Sequence, residues 1–365
     1  MTKVNNKIKN ILKKFIENGY EAYIVGGFVR DYLLGYCSYD IDISTNATPK
    51  EVKEIFDLSN SNDENYGHVF FKDSLYNYDI TTFRREIKYE NRKPVELEYI
   101  NSIEEDIFRR DFTINSLYMD LDGNIFDVVD GKKDLENKVI RTVGNISEKM
   151  IEDPLRILRA VRFAALLDFE IESSLYNFIR QNKQLIRTLS YTRKKEELDK
   201  IFNSQNKLKG IELIKSLNIE DELEIEIPEN IAFTNNQLGI WAQIKVSDKY
   251  TFAKTEEEKI NSIRKILNYG IIDTIVLYEY GLYTCIVAGE ILGEPRSDIS
   301  NLYKNLPIYT QKDIKINGDD IIELLNIEPG EKIKQILFDI EIMILNNNLE
   351  NDTEVIKDYI LKTWR

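Results

Sequence analysis

The sequence predicts an α+β chain in which an N-terminal domain on a mixed sheet is followed by an all-α remainder. Three observations carry this expectation. The first ~130 residues mix strand-like and helix-like runs. From Ile151 onward apolar residues recur at helical spacing through LRILRAVRFAALL, SSLYNFIRQNKQLI and KEELDKIF, and long helices continue past Asn261. Pro and Gly are sparse, 7 and 16 of 365 residues, and no low-complexity segment or fixed-period repeat interrupts the pattern.

Taken in order, MTKVNNKIKNILKKF is basic and amphipathic but lacks an apolar signal core and a small-residue cleavage site, so it reads as a helix of the fold. YEAYIVGG reads as a strand, FVRDYLLG as a helix, YDIDIS as a strand and TPKEVKEIF as a capped helix. HVFFKDSLYNYDITTF looks like two strands around a polar turn at Asp73 and Ser74, and FTINSLYM is strand-like again. Boundaries are expected near GNISEK, around the acidic stretch before Pro228 and around Gly293 to Ser297.

Composition narrows the function. No segment approaches the ~20 consecutive apolar residues that would span a bilayer, so a cytoplasmic protein without a membrane segment is expected. Cys37 and Cys285 are too few for a disulfide framework and wrongly spaced for a thiolate zinc site. His68 is the only histidine, which excludes sites built on several imidazoles and leaves acid–base chemistry to carboxylates. The net charge of −14 argues at first against a nucleic-acid partner. The average hides an asymmetry: residues 131–215 carry 18 Lys and Arg against 12 Asp and Glu. The acidic run EDELEIEIPE, residues 220–229, reads as a solvated face.

The most informative stretch is VGGFVRDYLLGYCSYDIDI, residues 25–43. A strand points residues i and i+2 to one face, so Asp40 and Asp42 project together and repel, and a cation belongs between them. Gly26 and Gly27 let backbone N–H groups approach phosphate oxygens, and the helix that follows, carrying Arg30 and Asp31, begins as an anion site. Mg²⁺ takes carboxylate and phosphate oxygens, and a pair of such ions can hold the attacking and leaving oxygens of an in-line displacement. Asp79, in YDITTF, alternates so as to add a third carboxylate.

At this point GGFVRDYLLGYCSYDIDIST resembles the signature of class II tRNA nucleotidyltransferases, the CCA-adding enzymes of the polymerase-beta superfamily. FRREIKYENRKPVELEYINSIEEDIFRRDFTINSLYMD is similar to the family's flexible loop and ribose-reading RRDFTIN segment. DVVDGKKDLENKVIR has the hinge pattern Asp127, Gly131, Arg141; EDPLRILRAVRFA resembles the base-selecting helix; and LPIYTQKDIKINGDDIIELLNIEPGEKIKQIL resembles the tail. The resemblance implies a polymerase-beta-like head (1–130), a helical neck with the nucleotide-selecting helix (131–215), a helical body (216–295) and a tRNA-binding tail (296–365).

It also implies roles. Asp40 and Asp42 would bind Mg²⁺, and Asp79 would orient or deprotonate the attacking 3′-hydroxyl. Gly26, Gly27, Arg30, Arg109, Arg110, Asp111 and Asn115 would hold ribose and triphosphate, Asp111 through the 2′-hydroxyl. Asp153 and Arg156, read as i and i+3 on a helix, are on their own a surface ion pair; the resemblance makes them the acceptor and donor fork that read CTP or ATP. Arg159 and Arg162 would support the triphosphate or the helix, with Arg159 ahead because each three-residue step drifts about 60° around the helix. Lys194 and Lys195, and Lys332 and Lys334 near a helix start, are candidates for tRNA phosphates. One departure stands out: the family's Glu-Arg-Ile is here Thr192, Arg193, Lys194.

The expected activity is addition of C, C and A to the tRNA 3′ end from CTP and ATP, with no obligate protein partner. An A-only enzyme shares these motifs. Bacterial poly(A) polymerases carry Gly-Arg-Arg-Phe where this chain reads ENYGHVFFKD, and CC-only enzymes lack the loop that residues 85–100 complete. A noncatalytic RNA-binding protein on the same fold is the reading from another class, and the intact carboxylate set opposes it.

Overall fold

The computed structural model describes residues 6–58, 67–90 and 93–364, with residues 86–90 and 93–96 described by backbone alone. Part of the ENYG stretch, residues 64–66, and residues 91–92 of the loop segment therefore lie outside the described residues. The chain divides into two compact units, Met1–Glu224 and Ile225–Arg365. The break falls in the acidic stretch; the finer boundaries at 130, 215 and 295 return below as a proposal.

The first unit opens with α1 (Asn6–Glu17), β1 (Ala22–Val25), α2 (Gly27–Leu34), β2 (Asp40–Thr45), α3 (Pro49–Phe56), β3 (His68–Lys72) and β4 (Asn77–Thr82). A two-stranded hairpin of β5 (Arg84–Glu90) and β6 (Lys93–Tyr99), helix α4 (Ile103–Ile107), β7 (Tyr118–Met119) and β8 (Ile125–Phe126) follow. The main sheet runs β3-β4-β2-β1-β7-β8, with β2 and β4 parallel and the other pairs antiparallel, so the sheet is mixed as expected. The capped helix forms as read: Thr48 Oγ1 accepts from Glu51 N while the Glu51 carboxylate accepts from Thr48 N, a reciprocal capping box with Pro49 in the first turn. Asp73 closes the turn between β3 and β4 by accepting from the Leu75 and Tyr76 N–H groups.

Two expectations change here. FTINSLYM is not one strand: Thr113–Asn115 forms a 3₁₀ turn, and only Tyr118 and Met119 join the sheet. The cause is local, because Ser116 Oγ donates to the Phe112 carbonyl and Asn115 N donates to the same oxygen, bonds that compete with a ladder. EDPLR is not one helix either. Helix α5 (Gly131–Asn137), β9 (Val139–Ile140) and α6 (Ile146–Glu152) lead to a break at Asp153, which is extended at φ −141°, ψ 93°, before α7 (Leu155–Leu167) begins. Pro154 explains it, since a proline pushes the residue before it out of the helical region.

Helix α7 is the axis of the rest of the unit. Nine of its thirteen residues are buried, among them Ile157, Leu158, Val161 and Leu167, and each fully buried large side chain contributes about 1.5–3 kcal/mol. It packs against α9 (Tyr191–Phe202) and α10 (Lys207–Ser216), which follow β10 (Glu170–Ile171) and α8 (Ser173–Gln181). The hinge trio is tied to its neighbours: Asp127 accepts from the Gly131 and Lys132 N–H groups, and Arg141 pairs with Asp134 and the Val129 carbonyl. A Cβ on Gly131 would lie 2.3 Å from the Thr113 carbonyl oxygen, so only glycine fits between α5 and the 3₁₀ turn. The acidic run is solvated as read at Asp221, Glu224, Glu226 and Glu229, while Glu222 in the short α11 (Glu220–Leu223) departs from it, buried beneath Lys183 and Arg187.

The second unit has a two-stranded ribbon of β11 (Ile225–Glu226) and β12 (Lys245–Val246) around α12 (Gln237–Gln243), then α13 (Lys254–Tyr269), α14 (Thr274–Leu292), α15 (Arg296–Lys304), α16 (Gly318–Leu325), α17 (Glu331–Leu345) and α18 (Thr353–Thr363). Helix α14 is long and apolar enough to cross a membrane by length and composition. It breaks at Gly281, φ 74°, ψ 160°, and packs on α13 and α15 with Val276, Leu277, Cys285 and Val287 buried, which is the habit of a core helix.

Candidate active site

The sheet register builds the site. Asp42 lies opposite Val25 on β1 and Asp79 on β4, and Asp40 lies opposite Asn77. Paired residues on neighbouring strands share a face, so the three aspartates stand on one side of the sheet, as their alternation implies. Asn77 Nδ2 donates to Asp40 Oδ1 at 2.7 Å, and Asp79 Oδ1 is 3.0 Å from His68 Nδ1. Burial pushes the Asp42 carboxyl up to about 6, and the charges of Asp79 and Asp40 push the same way against Arg110.

Gly26 and Gly27 sit against Asp42. Gly26 has φ +73°, and a Cβ there would lie 2.7 Å from Asp42 Oδ2, so conformation and space both demand glycine. The Gly27 N–H donates to the Asp42 carboxylate at the start of α2. The donor set of Asp40 and Asp42 is oxygen only, which fits a hard divalent cation. Among the described residues no three His, Cys, Asp or Glu side chains converge as a closed metal cage, so substrate oxygens and water would complete the shell of any ion held there.

On the β1 side of Asp42 opens a cavity of about 560 Å³ whose walls are largely arginine. Gly26, Gly27, Arg30, Asp42, Arg109, Asp111, Asn115, Asp153, Arg156, Arg159 and Arg162 all line it, so the structure gathers the nucleotide candidates into one place. Arg30, Arg109, Arg110, Arg156, Arg159 and Arg162 each have a fixed seat. Arg30 pairs with Asp31 and donates to Asn115 Oδ1 at 2.8 Å. Arg109 and Arg110 share Asp106, whose side chain is fully buried; burial pushes that carboxyl up, but the two arginines outweigh it and hold it at about 2.

Asp111 lines the cavity and also anchors an arginine. It is buried, its Oδ1 accepts from its own following N–H, and its Oδ2 takes both Nε and Nη2 of Arg159. Burial raises its pKa, yet the Arg159 charge and these hydrogen bonds bring it below the ordinary range. Arg156 donates to the carbonyls of Lys149 and Arg109 and to Glu152, not to Asp153, whose Oδ1 instead accepts from Leu155 N at the start of α7. The helix-face argument for this pair is therefore corrected: both residues line the cavity wall, with the break between α6 and α7 between them. Arg159 and Arg162 both line the cavity. Arg162 donates to Glu197, and burial lowers its pKa.

Arg110 lines the cavity beside Arg109 and Asp111, and sequence reasoning left three lining residues out of the site: Leu155, Phe163 and Arg193. Arg110 also donates to Tyr118 and Ser44; Arg193 comes from α9; and the Phe163 ring carries the guanidiniums of Arg30, Arg159 and Arg162 at 5.4, 5.4 and 4.4 Å from its centroid. Phe163 looks like any apolar residue of a core helix, and Arg193 lay inside the stretch read as a departure.

The lysines fare less well. Lys194 is 1% exposed and its Nζ donates to the Glu222 carbonyl at 2.7 Å, so it is corrected out of the phosphate-binding set. Lys195 pairs with Asp199 and Lys334 with Glu331, while Lys332 is exposed at the start of α17 in the second unit.

Comparison with known proteins agrees along the chain. The profile of the Poly A polymerase head domain matches residues 22–141, that of the probable RNA and SrmB-binding site of polymerase A matches 168–226, and that of tRNA nucleotidyltransferase domain 2 matches 245–360. The chain is 34% identical over 377 residues to the CCA-adding enzyme of Ligilactobacillus salivarius, covering 95% of this chain and 93% of that one. It is 32% identical to the CCA-adding enzyme of Streptococcus mutans, covering 96% of each. Among solved structures, the Bacillus stearothermophilus CCA-adding enzyme in complex with CTP superposes with a TM-score of 0.89 at 26% identity, covering 99% and 98% of the two chains.

Proposed function

The chain belongs to the CCA-adding enzymes, class II tRNA nucleotidyltransferases with a polymerase-beta-like head, and on that premise we propose that its chemistry divides at Asp42. It is a nucleotidyltransferase that adds C, C and A to the 3′ end of tRNA, with CTP and ATP as donors and pyrophosphate as the product. On the cavity side of Asp42, Arg110, Arg159, Arg162 and Arg193 hold the triphosphate, while Asp153 and Arg156 face the base. Asn115, fixed by Arg30 through its oxygen, turns an amide N–H₂ without a protein partner towards the nucleotide.

Asp40 and Asp42 would hold magnesium, which supplies the positive charge that the facing carboxylates lack and stabilises the displaced pyrophosphate. Asp79 orients the attacking 3′-hydroxyl, with one of its oxygens set by His68. The remaining catalytic power comes from arginines already fixed before substrate arrives, which need no reorganisation as charge develops. The single observation that carries this reading is the register that sets Asp42 beside Asp79 at the rim of the arginine cavity.

The same proposal keeps a head of residues 1–130, a neck of 131–215, a body of 216–295 and a tail of 296–365, with Lys195, Lys332 and Lys334 meeting tRNA phosphates. It places the enzyme in the cytoplasm. The test is product length: transcripts ending before CCA, after C and after CC, given Mg²⁺ with CTP, ATP or both. Three residues and then a stop are expected. Extension of the CC-ended transcript alone would make it an A-adding enzyme, and long adenosine tails a poly(A) polymerase.

A further inference from the structure

The face that carries the aspartates holds one feature that the reaction above does not use. Strand β3 alternates: Val69 is buried and Phe71 packs on Phe56 and Tyr78 on the core side, while His68 and Phe70 point to the catalytic side. Phe70 lies opposite Asp79 in the ladder, and Asp79 lies opposite Asp42. The His68 ring is parallel to that of Phe70, with centroids 5.7 Å apart and 5° between planes, and its Nδ1 is 3.0 Å from Asp79. Phe70 is 50% exposed, and its neighbours on this face along β4 and β2 include Asn77, Asp79, Thr81, Asp40 and Asp42. An apolar ring in so polar a setting suits a flat, partly apolar ligand.

We propose that Phe70, backed by His68, is the stacking platform for a base of the tRNA acceptor end, and so sets the 3′-hydroxyl beside Asp79. This rests on the functional reading above and extends it. The arginine cavity lies on the β1 side of Asp42 and includes neither Asp79 nor β3. In-line displacement puts the attacking oxygen opposite the leaving pyrophosphate. The acceptor therefore enters from the β4 and β3 side, where adjacent strands are about 4.8 Å apart and Phe70 stands one strand beyond Asp79. Stacking on an aromatic ring is tolerant of base identity, and an enzyme that extends ends terminating in different bases needs that tolerance.

The test uses the full chain and tRNA transcripts ending in CC. Phe70→Ala is expected to raise KM for the transcript about tenfold while KM for ATP moves less than twofold, and Phe70→Trp restores the transcript KM. Trp emission in the Phe70→Trp protein, corrected for Trp241 and Trp364 with the unsubstituted protein, is expected to be quenched by the transcript, and not when its terminal nucleotide is abasic. A folded Phe70→Ala protein with unchanged transcript KM would overturn the proposal. So would quenching by ATP alone, which would assign the ring to the incoming nucleotide. Extension of no transcript by the unsubstituted enzyme would strike the function itself, whereas normal extension without quenching strikes only the platform.

Discussion

The two sides of Asp42 are built on opposite principles. On the cavity side the guanidiniums of Arg30, Arg109, Arg110, Arg156, Arg159 and Arg162 are each tied to a carboxylate, an amide or a carbonyl. On the sheet side Asp40, Asp42 and Asp79 face one another with an Asn77 amide, a Gly27 N–H and one imidazole for company. One side presents cations fixed before substrate arrives; the other presents anions whose mutual repulsion Arg110 offsets only in part until a cation comes. The difference teaches how the site divides its labour: the arginines locate phosphate, and the aspartates make the site depend on a metal.

The largest expected effect comes from emptying the sheet side. Replacing Asp40 and Asp42 together by Ala is expected to lower incorporation at least about 10³-fold while tRNA affinity, read by filter binding, stays within threefold. Persistent incorporation in primer extension would refute the metal assignment. Breaking the other side at its root comes next. Asp106→Ala leaves Arg109, Arg110 and Tyr118 without their buried acceptor, and a loss of about 3–5 kcal/mol is expected in urea unfolding; a change below about 1 kcal/mol would show that the arginines are held by other means.

Arg156→Ala and Asp153→Ala should act on choice more than on rate, reducing the preference for CTP and ATP over UTP and GTP about tenfold to a hundredfold. Unchanged selectivity in both folded variants would remove these residues from base reading. The smallest effect is on stability against pH. The Asp42 carboxyl has its folded pKa raised from 3.8 to about 6, so its contribution to stability is present below the unfolded value and lost as pH rises through about 6. In metal-free protein at pH 7.5, Asp42→Asn should therefore stabilise by about 1–2 kcal/mol, discounted for the solvent that reaches the group. At pH 4 the gain should vanish. Asp106 runs the other way: held at about 2, it contributes above its unfolded value and loses that contribution as pH falls through about 2. A melting series that shows Asp42→Asn no more stable than the unsubstituted protein at pH 7.5 would deny that burial and its carboxylate neighbours raise this group.

Much of the sheet side was legible in the residues. Alternation in DIDIST and YDITTF placed three carboxylates on one face, Gly26 announced the tight approach, and Thr48 with Glu51 announced a helix start, because strand period and capping are local properties. The cavity side was less so. Pro154 marked the break before α7, but reading EDPLR as continuous helix put Asp153 on the wrong element. The Arg159 pair with Asp111 spans 48 residues, and only tertiary packing brings that arginine onto the aspartate. Lys194 was misplaced for a related reason: lysines are mostly exposed, and nothing in its neighbourhood announces the distant Glu222 carbonyl that lets its head group be buried. Phe163 shares the spacing of core residues and differs only in the three guanidiniums folded against it.

The most direct test of this division is binding rather than turnover: CTP titrated calorimetrically into the unsubstituted protein and into the Asp40→Ala, Asp42→Ala double variant, each with and without Mg²⁺. Without Mg²⁺ the variant is expected to bind CTP at least as tightly as the parent, because the arginines are untouched and repulsion is relieved. Adding Mg²⁺ should tighten CTP binding in the parent alone. Equal tightening in both proteins would mean that the metal is not held by these aspartates, and loss of metal-free CTP binding in the variant would mean that phosphate is not held by the arginines.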